Sequence, residues 1–506
     1  MAVVAATALA TPLLLGASPF QGKSHDPAKD AAKLARKLVQ RSTADDAYRH
    51  LQQFQAIADS ADGHRAAGSL GHDASAAYVY RLLQKAGYDV SYESFDFMFT
   101  ETLAEKLSVV SPTPRDITIK AMTYTKSTAV GGVEAALVAV PLDATTGCED
   151  ADYASANFTG KIALIKRGGC SFAQKQATAA TAGATGAVIY NNVDGELSGT
   201  LGDVESGKIP TGGLTLAEGE KLAADLAEGD VTVSFEIREL QEKRNTRNVI
   251  AETRGGNAAK TVVLGAHLDS VTEGPGINDN GSGSAGLLEV ALELAKTHRA
   301  PANKTRFAWW SAEENGLLGS EAYVAALTEK QREQIALYLN FDMIASPNGA
   351  QFVYDGNNSD GVGEGEGPEG SAQLERDIND FLDGKGQAHE GTDFTGRSDY
   401  GPFIDVGIPS GGTFTGAEGI KTPAQVEKFG GEAGVAYDAC YHAACDDIEN
   451  IDMGLFDTNI DVIANAVGTY AYDLRSLTRP VPAEPTTGEP GSGGGLHEGH
   501  AHHVTE

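Results

Sequence analysis

The sequence predicts an α/β protein, a sheet covered by helices on both faces, with a smaller α/β unit inserted into it. Three observations carry this. Strand-like and helix-like runs alternate along residues 261–474, the pattern of a sheet with helices on both sides. The run TVVLGA at 261–266 is continuously apolar, as in a strand buried on both faces. Residues 103–239 hold strands and helices of their own, between two stretches that have to share one core.

Taken in order, residues 45–58 form an amphipathic helix with Leu51, Phe54, Ile57 and Ala58 on one face. A second helix covers 74–86, with Tyr78, Tyr80, Leu82 and Leu83. Residues 88–97 (YDVSYESFDF) alternate like a strand. Two helices and a strand cannot close a core, so they should join a sheet supplied from elsewhere. Within 103–239, strands are expected at 133–140, 161–166, 187–191 and 231–235, and helices at 172–182 and 217–227. The main sheet then resumes with strands at 261–266, 306–311 and 335–344. Helices are expected at 285–296, 320–327, 372–382 and 456–474. The acidic, glycine-rich stretch 356–370 is expected to be a mobile surface loop.

The 506 residues are long enough for two or three domains and a large core. With 41% hydrophobic and 22% charged residues, the composition is that of a globular chain, neither disordered nor membrane-embedded. The balance of 39 Lys+Arg against 70 Asp+Glu is −31, which repels phosphate backbones and anionic membranes and leaves metal binding open. Residues 1–20 resemble a secretory signal cleaved near Ala17 or Ser18, although no Lys or Arg precedes the apolar run. No other run suggests a membrane anchor. Cys148, Cys170, Cys440 and Cys445 suit two disulfides in an exported chain; three pairings are possible and the local pairs are the simplest. Glycosylation sequons occur at Asn157, Asn280, Asn303 and Asn357. The Pro/Gly/Glu-rich stretch 479–506, with His497, His500, His502 and His503, is expected to be a flexible tail.

The chemistry is expected where sheet strands end, the place where open α/β sheets bind ligands. His267 and Asp269 follow TVVLGA, and Asp279 lies in GINDNGSG. Glu313 and Glu314 follow RFAWWSA, Asp342 interrupts LNFDMIA, and His442 lies in CYHAACD. Each alone has an ordinary explanation, such as a solvated helix start or a histidine beside a disulfide. Asp342 is the exception, because a carboxylate in an apolar strand needs a partner or a metal. Imidazoles with carboxylates suit zinc. Two Zn²⁺ against the carboxylates of Asp279, Glu314 and Asp342 leave +1, which one bridging hydroxide neutralises. Glu313 needs no ligand role and is free to carry a proton from the water to a leaving amine. Asp269 is placed to orient the His267 ring.

These pieces resemble the secreted dizinc aminopeptidases, the family of bacterial and fungal leucine aminopeptidases and aminopeptidase Y. The matching motifs are GAHLDSV (265–271), GINDNGSG (276–283), SAEENGLLGS (311–320), NFDMI (340–344), GRSDYGPF (396–403) and CYHAACD (440–446). The resemblance covers nearly all of 40–478. It implies a three-layer α/β/α exopeptidase sandwich with a mixed, mostly parallel sheet, built from 40–102 and 240–478. It further implies that His267 and Asp342 hold one zinc, Glu314 and His442 the other, and that Asp279 bridges them. Glu313 would be the general acid/base. Tyr441 would donate to the oxyanion, braced by a Cys440–Cys445 disulfide, and Arg397 would contact substrate. Some relatives bind calcium, for which Asp457 and Asp461 are candidates; both could instead complement a helix dipole. The segment 103–239 resembles a protease-associated domain, on the pattern of 160–192, with a role in gating or partner contact. The implied protein is an exported monomer acting on peptides with a free N-terminus and a large apolar first residue. The same architecture leaves as alternatives a dizinc carboxypeptidase, a single-zinc glutaminyl cyclase and a non-catalytic receptor-like ectodomain; the intact Glu313-Glu314 pair and Tyr441-His442 favour the aminopeptidase.

Overall fold

A computed structural model describes residues 26–298, 300–359, 361 and 365–481. The expected leader at 1–20 and the four tail histidines lie outside these, as does part of the glycine-rich stretch at 356–370. Three helices open the described chain: α1 (Pro27–Val39), α2 (Ala44–Asp59) and α3 (Leu70–Ala86). The Thr43 and Ser69 hydroxyls accept the backbone N–H of Asp46 and His72, capping α2 and α3. Helix α1 was not expected; it buries Ala31, Leu34, Ala35 and Leu38.

Strand β1 (Asp89–Ser111) is more than twice as long as the alternation at 88–97 predicts. The inserted unit follows: β2 (Arg115–Ile117), β3 (Lys120–Ala121), β4 (Val133–Ala139), β5 (Ile162–Lys166), α4 (Phe172–Thr181), β6 (Gly186–Tyr190), β7 (Thr211–Leu214) and α5 (Leu216–Glu228). Strand β8 (Thr232–Glu252) returns antiparallel to β1 along its whole length, with register shifts at Thr102/Ala104 and Val109/Ser111. This ribbon runs unbroken between the two units. The alternation fades at 100–106 because a two-stranded ribbon buries little on either face there; its stability comes from the pairing.

The main sheet continues with β9 (Asn257–His267), α6 (Gly283–Ala295), β10 (Asn303–Trp310), α7 (Leu318–Ala326), α8 (Glu329–Glu333) and β11 (Ile335–Phe341). Then come β12 (Phe352–Tyr354), α9 (Ser371–Lys385), β13 (Glu390–Thr392), α10 (Gly401–Asp405), β14 (Ser410–Phe414), α11 (Pro423–Phe429) and α12 (Met453–Tyr470). Its strand order is β13-β12-β14-β11-β9-β10-β8. The β10–β9, β9–β11, β11–β14 and β12–β13 pairs are parallel. The β8–β10 and β12–β14 pairs are antiparallel.

Side chains along the central strands point alternately to two cores. Val262, Leu264, Phe307, Trp309, Leu337 and Leu339 pack under α2, α3, α6 and α12. Val263, Ala308, Trp310 and Tyr338 face the opposite layer, with Tyr323, Tyr400 and Phe403. This is the three-layer arrangement expected. In the inserted unit, β5 and β6 lie between two further cores. Cys148 bonds Cys170 and Cys440 bonds Cys445, the local pairing. Asn280 and Asn303 are buried, which removes them as glycan acceptors.

Candidate metal centre

Parallel β9, β10 and β11 end side by side, so the residues that follow them share one place. His267 closes β9, Glu313 and Glu314 follow β10 after a short turn, and Asp342 follows β11. Three backbone positions beside these groups are left-handed without being glycine: Ala312 (φ 58°), Met343 (φ 45°) and His442 (φ 55°). L-residues avoid this region, and it is held where the surroundings over-determine it, as at ligand clamps. Here it occurs where β10 and β11 end, and Glu313 and Asp342 line a common cavity there.

Asp279 is the centre of the group. One of its oxygens lies 3.2 Å from His267 Nε2 and the other 3.2 Å from His442 Nε2. His267 Nε2 is also 3.2 Å from Asp342 Oδ1 and 3.9 Å from Glu313 Oε2. His442 Nε2 is 2.9 Å from Glu314 Oε2. His267, Glu313 and Asp342 bring ligand atoms within 4.8 Å of one another, and so do His267, Asp279 and Glu314. The structure thus assembles all five expected ligands and Glu313.

Burial alone would lower the two imidazole pKa values, but the facing carboxylates raise both well above the usual histidine value. Burial would raise Asp279, yet the bonds from His267 and His442 hold it below the usual carboxylate range. Glu314 is pushed up to about 7 by burial and by Asp279, and Glu313 well above its usual value by burial, Asp342 and Asp399. Burial pushes Asp399 itself up to about 8, with Asp342 and Asp269 adding to the effect. Burial of this many carboxylates together is opposed by their mutual repulsion, and the two imidazoles offset it only in part. Divalent cations satisfy the same carboxylates, and imidazole with carboxylate is a donor set that zinc takes. Glu314 Oε1 is buried with no hydrogen-bond partner among the described residues, a lone pair available to a cation. The residues present fit zinc.

Asp269 takes a broader part than orienting one ring. His267 Nδ1 bonds its backbone carbonyl at 3.1 Å, while its carboxylate oxygens accept the Glu313 and Glu314 N–H groups at 3.4 Å. The Tyr441 ring stacks on His442, with centroids 3.8 Å apart. Arg397 donates to Glu418 at 2.8 Å and to the Tyr441 hydroxyl at 3.3 Å. Because a guanidinium only donates, Tyr441 accepts there and its own proton points elsewhere. Asp457 accepts the Ala44 N–H and Asp461 pairs with Lys385, so both candidate calcium carboxylates already have protein partners. Asp452, not either of them, caps α12.

Sequence reasoning missed three supports. Arg65, in the turn before α3, is fully buried and donates to the carbonyls of Leu268, Pro275 and Gly276. It thereby clamps the loop joining His267 to Asp279. Asp446 accepts the N–H groups of Asn278 and Asp279 at 2.8 and 3.0 Å. Ser398 donates to Asp342 Oδ2 at 2.6 Å. Asp446 and Ser398 lie within the CYHAACD and GRSDYGPF motifs, which were the only signal for them; Arg65 had none.

The centre opens into a cavity of about 730 Å³. Glu313, Asp342, Met343 and Tyr441 line it, together with Lys120, Tyr124 and Thr200 of the inserted unit. No described helix is long and apolar enough to cross a membrane.

Residues 248–467 match the model of peptidase family M28, and residues 133–222 that of the PA domain. Leucine aminopeptidase 2 of Trichophyton rubrum is 42% identical over 459 residues, which is 88% of this chain and 89% of that one. An aminopeptidase of Pseudomonas aeruginosa is 46% identical over 438 residues, 83% of this chain and 80% of the relative. Among solved structures, an aminopeptidase from Aneurinibacillus sp. strain AM-1 superposes with a TM-score of 0.69 at 28% identity, covering 86% of this chain and 95% of that one. BSAP, a zinc aminopeptidase from Bacillus subtilis, has a TM-score of 0.58 at 27% identity, with 84% and 94% covered.

Proposed function

Because the chain belongs to peptidase family M28, we propose that it is an exported aminopeptidase with two zinc ions, removing large apolar residues such as leucine from peptide N-termini. The observation that carries the reading is the Asp279 carboxylate, set with one oxygen toward each of two imidazoles and flanked by Asp342 and Glu314. His267, Asp342 and Asp279 would hold one zinc; His442, Glu314 and Asp279 the other. When bound, such a pair lowers the pKa of a shared water and polarises the scissile carbonyl.

The protein groups supply the rest. Glu313, buried beside His267, takes the water proton on its carboxylate and delivers it to the leaving amine nitrogen. Tyr441 donates its proton to the carbonyl oxygen as charge develops there, while Arg397 holds the phenol from behind. Asp269 fixes the Glu313–Glu314 turn through two backbone N–H groups. The Cys440–Cys445 bridge closes the short loop carrying Tyr441 and His442. Two disulfides suit an extracellular chain. The catalytic unit is assigned to 40–102 with 240–478, and the inserted unit to 103–239.

The test is hydrolysis of leucine p-nitroanilide beside its N-acetylated form, before and after chelation. Cleavage of the free-amine substrate alone, lost on chelation and restored by zinc, is expected. Equal cleavage of both forms, or activity that survives chelation, overturns the proposal.

A further inference from the structure

The hydrogen bond that Ser398 gives to Asp342 is the last link of a longer chain. Trp310 Nε1 lies 2.8 Å from the Tyr338 hydroxyl, which lies 2.8 Å from Asn340 Oδ1. Asn340 Nδ2 lies 2.7 Å from Ser398 Oγ, and Ser398 Oγ 2.6 Å from Asp342 Oδ2. Every member is buried. A chain of hydroxyls and amides can ordinarily run either way, but a carboxylate only accepts and an indole N–H only donates. Ser398 therefore gives its one proton to Asp342 and accepts from the Asn340 amide nitrogen. That turns the Asn340 carbonyl to Tyr338, which donates to it and accepts from Trp310 at the far end.

We propose that Trp310 and Tyr338 are positioning residues for zinc. Their one-way chain occupies Asp342 Oδ2 and leaves Oδ1, the oxygen facing His267, to bind metal. The packing holds the chain in place. The Tyr338 ring stacks on Phe403 with centroids 3.9 Å apart and planes 1° from parallel. Beneath it, a Cβ on Gly265 would lie 2.4 Å from the Tyr338 hydroxyl and 2.5 Å from Trp310 Nε1, so only glycine admits this bond across β9. The other tryptophan, Trp309, donates to the Ser284 carbonyl, so Tyr338 is the phenol that an indole directs.

The inference rests on Asp342 being a zinc ligand, and the experiment separates the two claims. Zinc is titrated into metal-free protein against a chromophoric chelator, giving stoichiometry and both affinities. Tyr338→Phe removes one hydroxyl and keeps the ring stack. It acts two links away from the ligand, so it is expected to weaken one zinc site by threefold or more and leave the other within twofold. Ser398→Ala, which removes the bond to the ligand itself, should weaken the same site by tenfold or more, the scale seen for outer hydrogen bonds to ligands, and Ser398→Thr, which keeps the hydroxyl, should stay within twofold of the native protein. The double variant Tyr338→Phe/Ser398→Ala should be no weaker than Ser398→Ala alone, because both act through one bond. Native affinity in Tyr338→Phe, or a double variant weaker by the product of the singles, overturns the inference alone. A native chain that binds no zinc overturns the proposed function and this inference with it.

Discussion

Replacing Arg65 with Met tests how the centre is supported. The guanidinium is fully buried and its donors end on three carbonyls of the loop between His267 and Asp279. Hydrogen bonds from a charged donor contribute about 1.5–3 kcal/mol each, so three sum to about 4–9 kcal/mol. Burial opposes this. It pulls the Arg65 pKa from 12.5 down to about 10, which corresponds to about 3 kcal/mol of cost that Met would not carry. The net expected loss is about 1–6 kcal/mol. The assay is urea unfolding followed by tryptophan fluorescence, because both tryptophans lie in β10 beside the centre. Arg65→Lys keeps the charge but ends in one nitrogen, so it should recover only part of the loss. A change below about 0.5 kcal/mol for Arg65→Met, the scale of an exposed substitution, would refute the clamp.

Three further outcomes are expected. Glu313→Gln should retain bound zinc, measured by elemental analysis, while turnover of leucine p-nitroanilide falls by about 10²–10⁴-fold; native turnover would discard its proton-carrying role. Glu239, in the ribbon, is pushed up to about 7 by burial against bonds from Gln241 and the Tyr124 N–H. The unfolded chain releases this proton near pH 4.5, so stability falls as pH rises from there to 7, and the full cost stands above 7. Glu239→Gln should therefore stabilise by up to about 3 kcal/mol at pH 8 and by nothing at pH 4, and an equal gain at both pH values in thermal unfolding would contradict the assignment. The Cys148–Cys170 bridge spans 22 residues, so Cys148→Ala/Cys170→Ala should destabilise the inserted unit by about 3 kcal/mol. Removing the five-residue Cys440–Cys445 bridge should cost about 2 kcal/mol. Turnover should fall in the second variant, which frees the Tyr441–His442 loop, and not in the first.

The central sheet was legible because its strands carry strong patterns. Val262, Val263 and Leu264 are apolar on both faces, and His267 and Asp342 stand out as polar groups at the ends of such runs. Strand β14 was missed because its glycines carry no apolar signal. They are needed for close approach: a Cβ on Gly412 would lie 1.9 Å from the Asn340 carbonyl oxygen of β11. The full length of the ribbon is not legible in the sequence, because RELQEKRNTR in β8 has the composition of a loop and its pairing with β1 is long-range. Arg65 was invisible for a related reason. Its partners are backbone carbonyls more than two hundred residues away, which leave no mark on side-chain pattern.

The most direct test of the account is anomalous diffraction at the zinc edge from crystals of the native protein. Two peaks are predicted, one touching His267 and Asp342 and one touching His442 and Glu314, with an Asp279 oxygen on each. A single peak, or zinc bound away from Asp279, would contradict it.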